Sequence, residues 1–342
     1  MKTLAKIMLL SACLSLAACG SASLAPNAGA ARNSIVPSLG GAGPVWPMQA
    51  QTNAVAGTIF VVDAGANEVE TFPANGNGNI APKTVIAGAN TQLNGPIGMA
   101  VNAKGDMYVA CNGTNTVNEY AAGAKGNAKP IRQIFGHNTD IANPIGVALD
   151  SKGEIYVSTG NQNTIIVFAS NANGNVAPIR RLRGNFTLLA APAGMAINSK
   201  DELLVADVQS SAVTVYAPNA GGNTPPIAQI TGPNTAIKLP SSVAVDTSDH
   251  IFVSNESEST LVEFTSTANG NVAPIREING SKTNIDQPAG LAVDKAGTIF
   301  VSNLANSTIT TYVPKAKGNA PPATTIAGAK TQLNTPFGLS EL

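Results

Sequence analysis

Gly146-Val147-Ala148-Leu149-Asp150-Ser151-Lys152-Gly153-Glu154-Ile155-Tyr156-Val157-Ser158 decides the fold. Two apolar runs flank Asp150–Gly153, whose residue types suit a tight β-turn. The runs are continuous rather than alternating, as expected of strands covered on both faces. Outward from this hairpin, Gly160–Asn163 reads as a loop and Thr164–Phe168 as a third strand. Asn173-Gly174-Asn175 reads as a turn, Ile179–Leu182 as an outer strand, and Gly184–Pro192 returns the chain to the next inner strand.

The unit recurs six times. Pro96, Pro144, Pro192, Pro240, Pro288 and Pro336 stand 48 residues apart. The pairs Gly78-Asn79, Gly126-Asn127, Gly174-Asn175, Gly222-Asn223, Gly270-Asn271 and Gly318-Asn319 keep the same step, as do Thr91, Thr139, Thr187, Thr235, Thr283 and Thr331. A period of this length filled with short β-runs is the signature of propeller blades. The sequence therefore predicts an all-β, six-bladed β-propeller of 48-residue, four-stranded blades over residues 51–342. The first unit, from Gly57, lacks an inner strand, and the chain ends with one, Pro336–Leu342. That C-terminal strand is expected to complete blade 1, which closes the ring and removes a sheet edge.

Upstream, Lys2 and Lys6 precede an apolar Ile7–Leu16, too short for a membrane span. Leu16-Ala17-Ala18-Cys19-Gly20 resembles the lipobox of bacterial lipoproteins. The resemblance implies cleavage of residues 1–18, lipidation of Cys19 and membrane attachment, with the propeller in the cell envelope. Gly20, rather than Asp, resembles sorting to the outer membrane where the host has one. Residues 19–50 are rich in Gly, Ala, Ser, Pro and Asn, and read as a tether with a reach of roughly 30 Å. Trp46 near its end is expected to dock the tether on the domain.

The phrase Gly-Val/Met/Leu-Ala-Val/Leu-Asp/Asn-x-x-Gly-x-Ile-Tyr/Phe-Val-Ser, as in Gly146–Ser158 and Gly290–Ser302, resembles the NHL repeat. Such propellers include RNA binders, protein-binding modules and gluconolactonase- and streptogramin-lyase-type enzymes, so the fold does not choose among functions.

The residues discriminate further. Gluconolactonase-like enzymes hold a central cation with Glu, Asn and Asp; the positions preceding the inner-strand glycine here are Ile97, Ile145, Ala193, Ser241, Ala289 and Phe337. The second strands end in Asp63, Cys111, Thr159, Asp207, Asn255 and Asn303. Asp63 and Asp207, three blades apart, are the candidate ligands for a central Ca²⁺ or Mg²⁺; the competing reading is that they hold the following loop. Asn102, Asp150, Asn198, Asp246 and Asp294 are expected to close their own turns, and the Thr91 series its own loops. A lyase-type His base is disfavoured, because His137 and His250 fall in loop types on opposite faces. Cys111 reads as a buried thiol. Arg180-Arg181-Arg183, with Arg132 and Arg276 at the repeat position of Arg180, reads as edge protection rather than a nucleic-acid stripe.

The expectation is a monomeric, lipid-anchored envelope protein whose propeller is a non-catalytic binding or scaffolding module for a protein or small ligand. It needs no cofactor. Its binding face is built from the loops after the second strands and those entering the inner strands, including Asn161, Asn255, Glu256, Glu258 and Phe337. The alternatives are a metal-dependent lactonase-type hydrolase using Asp63 and Asp207, and a streptogramin-lyase-like enzyme.

Overall fold

A computed structural model of the chain describes residues 57–342. The signal segment, Cys19, the tether and Trp46 lie outside the described residues. The 24 strands form six four-stranded antiparallel sheets. Five inner strands, Pro96–Val101, Pro144–Leu149, Pro192–Ile197, Pro240–Val245 and Pro288–Val293, each begin a consecutive blade. The sixth, Pro336–Glu341, pairs antiparallel with Thr58–Asp63 and supplies the inner strand of blade 1. The closure expected from the chain ends is the one observed.

In blade 3 the strands are Pro144–Leu149, Ile155–Thr159, Thr164–Phe168 and Arg180–Arg183. The loop expected at 160–163 begins with a turn of 3-10 helix, Gly160–Gln162. Each periodic Pro sits at the first position of an inner strand, where a missing N–H is tolerated. The Pro faces the last residue of the second strand, as in Pro192↔Asp207 and Pro240↔Asn255, and a register shift follows it.

The Gly-Asn pairs do more than turn the chain. Each lies in the loop between the third and fourth strands of one blade, and each reaches the outer strand of the preceding blade. Gly174 makes a parallel bridge with Ile134. Its N–H donates to the Gln133 carbonyl (2.7 Å), and its carbonyl accepts from the Phe135 N–H (3.2 Å). Asn175 Oδ1 then accepts from the Asn138 N–H (2.8 Å). The bridge recurs at all six seams, including Gly78 on Ile326 between the first and last blades. The outer edge is thus covered by backbone pairing from the next blade, not guarded by arginine charge alone. The geometry requires glycine twice: Gly174 has φ 77°, and Gly136 has φ 101°. A Cβ on Gly136 would stand 2.6 Å from Asn175 Oδ1.

Apolar side chains fill the seams between blades. Third-strand aromatics alternate between Phe72, Phe168 and Phe264 in odd blades and Tyr120, Tyr216 and Tyr312 in even ones, all nearly or fully buried. The tyrosine hydroxyls donate to the carbonyls of Thr91, Thr187 and Thr283 (2.5 Å each), tying the incoming loops to the core. Thr91 Oγ1 also bonds its own loop, to the Gly88 carbonyl (2.7 Å), as do its five counterparts.

Blade 1 breaks the seam chemistry. Ile166 and Val262 occupy, in blades 3 and 5, the position that Glu70 occupies in blade 1. Glu70 is fully buried, and neither carboxyl oxygen has a hydrogen-bond partner among the described residues. Desolvation, with Asp63 and Glu68 nearby, pushes its pKa up to about 8.

Two outcomes follow for stability. Gly136→Ala should lower the melting temperature more than Gly174→Ala, because it adds the Asn175 clash to the backbone strain. Adding Asn175→Ala should recover part of the Gly136→Ala loss, measurable as a double-mutant coupling; strict additivity would show that the clash is not made. For Glu70, a folded-state pKa above the ordinary carboxylate value means that its share of stability is present at acid pH. That share is lost as pH rises through about 8. Glu70→Ile should therefore raise the melting temperature most at pH near 9 and flatten its fall between pH 5 and 9; unchanged slopes would count against a neutral, buried Glu70.

Candidate functional site

The loops after the second strands and those entering the inner strands meet on one face. Where they meet, the six residues ending the second strands are all fully buried: Asp63, Cys111, Thr159, Asp207, Asn255 and Asn303. Four of them share a task, while the Thr159 hydroxyl donates to the Thr164 carbonyl within its own blade (3.0 Å). Asp207 Oδ1 accepts from the Ala190 N–H (3.1 Å), Asn255 Oδ1 from Lys238 N–H (3.0 Å), and Asn303 Oδ1 from Asp286 N–H (3.1 Å). Asp63 Oδ2 accepts from the Asn334 N–H across the closing seam, and its Oδ1 from Ala66 N–H. In each of these blades the donor lies in the loop entering the inner strand. The residue therefore fastens that loop to the end of the second strand.

Asp63 and Asp207 stand in blades 1 and 4, opposite around the ring. Burial pushes each carboxyl up to about 7, against the lowering effect of its hydrogen bonds. The second oxygen of Asp207 accepts from the Thr214 hydroxyl (2.5 Å). Hydrogen bonds thus engage both oxygens of both carboxylates. Burial likewise pushes the Cys111 thiol up to about 11, away from nucleophilic use.

The remaining face residues scatter. Asn161 is exposed on the short helix of blade 3. Asn255, Glu256 and Glu258 share one turn of blade 5, but Asn255 is interior, bonding the Ala236 carbonyl (2.9 Å) and Thr260 hydroxyl (3.0 Å). Glu258 lies 3.9 Å from Lys238 Nζ. Phe337 is half-buried in the closing strand, and its carbonyl accepts from Ser302 Oγ (2.5 Å). The positions before the inner-strand glycine bring apolar or small side chains toward the axis: Ala193, Ser241 and Ala289 are fully buried, and Ile97 and Ile145 nearly so. Ser241 bonds Ser254 Oγ (2.6 Å) and the Pro288 carbonyl (2.7 Å).

An apolar group is exposed on neighbouring loops of this side: Phe135, Phe186 and Leu188. The two phenylalanines stand outside the aromatic positions of the repeat, which marks them in the sequence; Leu188 carries no such signal.

Four of the five described arginines are in ion pairs, Arg132 with Glu119, Arg180 with Glu154, Arg181 with Asp140 and Arg276 with Glu263, while Arg183 is exposed at the end of its strand. The Asx turns form as expected, with Asp150 Oδ1 accepting from Lys152 and Glu154 N–H groups (3.0 and 2.8 Å). His137, in the loop entering blade 3, and His250, in the turn after an inner strand, sit at opposite ends of the strands. His250 is not isolated, however: it faces Asp246 and Glu263.

No curated protein matches the chain. Among solved structures, it is similar in fold to a streptogramin B lyase, at 14% identity and a TM-score of 0.58, over 84% of this chain and 85% of that one. It is also similar to a chain of a nidogen/laminin complex (14% identity, TM-score 0.60, 83% and 98% covered). A third similar fold is a Bacteroides caccae protein of unknown function (11% identity, TM-score 0.61, 84% and 99% covered). At these identities the likeness is one of fold. The model of the family described as "Lactonase, 7-bladed beta-propeller" matches residues 48–224, slightly more than half of the chain. The chain belongs to that Lactonase family, and its described residues build six blades rather than seven.

Proposed function

We propose that this is a lipid-anchored envelope protein whose propeller binds a partner or ligand rather than turning one over. The observation that carries this reading is the use of the second-strand termini. The oxygens of Asp63, Asp207, Asn255 and Asn303 that a central cation would need are engaged in holding loops or, for the second oxygen of Asp207, by the Thr214 hydroxyl of the neighbouring strand. The axial positions add only apolar or small side chains. The same face exposes Phe186 at 67% and Phe135 and Leu188 at 46% each, apolar surface that a partner could cover. The lipid anchor rests on the Leu16–Gly20 motif, and the NHL-like reading on the repeated inner hairpin.

Family membership favours a second reading, a metal-dependent lactonase. A cation held by Asp63 and Asp207 would have to share their oxygens with the donors that already bond them. The lyase-like reading is weaker still, because His137 and His250 lie at opposite strand ends.

Calorimetry with Ca²⁺ and Mg²⁺ alongside lactone hydrolysis separates the first two readings. The binding-module reading expects no saturable cation uptake and no turnover. Saturable uptake abolished by Asp63→Asn or Asp207→Asn, together with lactone hydrolysis, would replace it with the hydrolase. For the anchor, Cys19→Ala should move the protein from the membrane to the soluble fraction and remove the lipid mass; a variant that stays in the membrane fraction would overturn it.

A further inference from the structure

We propose that Asp246, His250 and Glu263 form a binding site for a borderline divalent metal of the Zn²⁺ type. The site lies on blade 5, at the opposite end of the strands from the face described above, so it does not depend on the binding-module reading. Asp246 ends the inner strand's approach to the turn, His250 leads into the second strand (Ile251–Asn255), and Glu263 lies in the third (Thr260–Phe264).

Distances suit a shared ion. His250 Nδ1 lies 3.1 Å from Asp246 Oδ2 and 3.6 Å from Glu263 Oε1. One ligand atom from each of the three residues falls within 4.8 Å of the others. In tetrahedral zinc sites, with bonds near 2.0–2.1 Å, neighbouring ligand atoms stand about 3.3 Å apart.

Each carboxylate offers one oxygen because the other is held. Asp246 Oδ1 accepts from the N–H groups of Ser248 (2.8 Å) and His250 (2.9 Å). Glu263 Oε2 is held by the Arg276 guanidinium, which also lies 5.5 Å from the centre of the Phe252 ring. Outer contacts of this kind fix ligand orientation in metal sites. The side chains of Asp246 and Glu263 are 18% and 10% exposed and that of His250 36%, so an ion has a route in and a water can complete its shell.

The other blades show why the site arises here alone. Blade 2 has the same framework, with Glu119 held by Arg132. There, the Tyr108 hydroxyl (3.1 Å) and Arg132 Nη2 (2.8 Å) both donate to Glu119 Oε1. Blade 5 has Phe252 in place of that tyrosine, and Arg276 bonds Glu263 through Oε2 and turns Nη1 to the Ala316 carbonyl, which together leave Oε1 of Glu263 open. The position of His250 is filled by Asp106, Glu154 and Glu202 in blades 2, 3 and 4, and by Thr298 in blade 6. Only blade 5 combines an imidazole with a released carboxylate oxygen. One nitrogen and two oxygen donors suit Zn²⁺, Co²⁺ or Ni²⁺ better than Ca²⁺ or Mg²⁺.

Titration of the chelator-stripped full chain with Zn²⁺ alone, followed by calorimetry, tests the site, with the visible absorption of a Co²⁺ derivative as a second readout. The expected result is one ion per chain, with affinity falling at least tenfold in both His250→Thr and Glu263→Gln and unchanged in His137→Ala. His250→Thr installs the residue type that blade 6 carries at this position, and Glu263→Gln keeps side-chain shape; the thermal unfolding of each reports whether the fold persists. Absence of uptake by the unsubstituted chain would overturn the proposal, as would uptake that survives both substitutions or is lost only in His137→Ala.

Discussion

The backbone bridge between each Gly-Asn loop and the outer strand of the preceding blade is the constraint on which the rest depends. A propeller blade is a small sheet that cannot bury both faces alone. It is stable only when its neighbours press against it and its outer edge is covered. Here a glycine with positive φ places its N–H and C=O on that edge, and the adjacent asparagine accepts from the loop that leads to the next inner strand. One dipeptide thereby couples edge protection, blade spacing and loop position. At the closing seam the same device joins Gly78 and Asn79 to Ile326 and Lys330, across almost the whole chain length. The C-terminal strand closes the ring at its centre and the bridge closes it at its rim.

Held in this way, the incoming loops can be fastened from below by the second-strand termini. Their chemistry is interchangeable within limits. Asp207, Asn255, Asn303 and Asp63 all accept from a loop N–H, because the task needs only an acceptor at one point. Substituting an aspartate where an asparagine suffices places an acid in a dry site, which raises its pKa. The raised values at Asp63 and Asp207 are therefore accounted for by burial in a structural role. They do not by themselves mark catalysis, although perturbed groups often gather at functional sites.

Much of this architecture was legible in the residues, because the period repeats local signals. Strand order follows from the apolar runs, ring closure from the surplus Pro336–Leu342 strand, and the Asx turns from residue type alone. The Gly-Asn pairs were legible as turns but not as bridges. Their partners lie in another blade, and nothing local specifies which edge a loop will meet. The same limit hid the blade 5 cluster. Asp246 and His250 share a turn, but Glu263 joins them only through the register that sets it opposite Phe252. The open carboxylate oxygen is visible only against blade 2, where Tyr108 and Arg132 both donate to its counterpart. Of the exposed apolar group, Phe135 and Phe186 were legible as aromatics outside the repeat positions, whereas nothing in the sequence marked Leu188.

A repeat fold also indicates where its own exceptions lie. Six copies of one unit define what each position needs for stability, so a departure at one copy asks for a separate cause. Glu70, set where Ile166 and Val262 serve as packing, departs in the closing seam. Its burial without a partner opposes stability rather than adding to it. His250 departs in blade 5, where the other copies carry Asp106, Glu154, Glu202 and Thr298, and its effect is constructive: it sets a nitrogen beside Asp246 and the one free oxygen of Glu263. On that ground the turn end of blade 5, rather than the polar ring at the loop face, is where this propeller carries chemistry that its own repeat does not require.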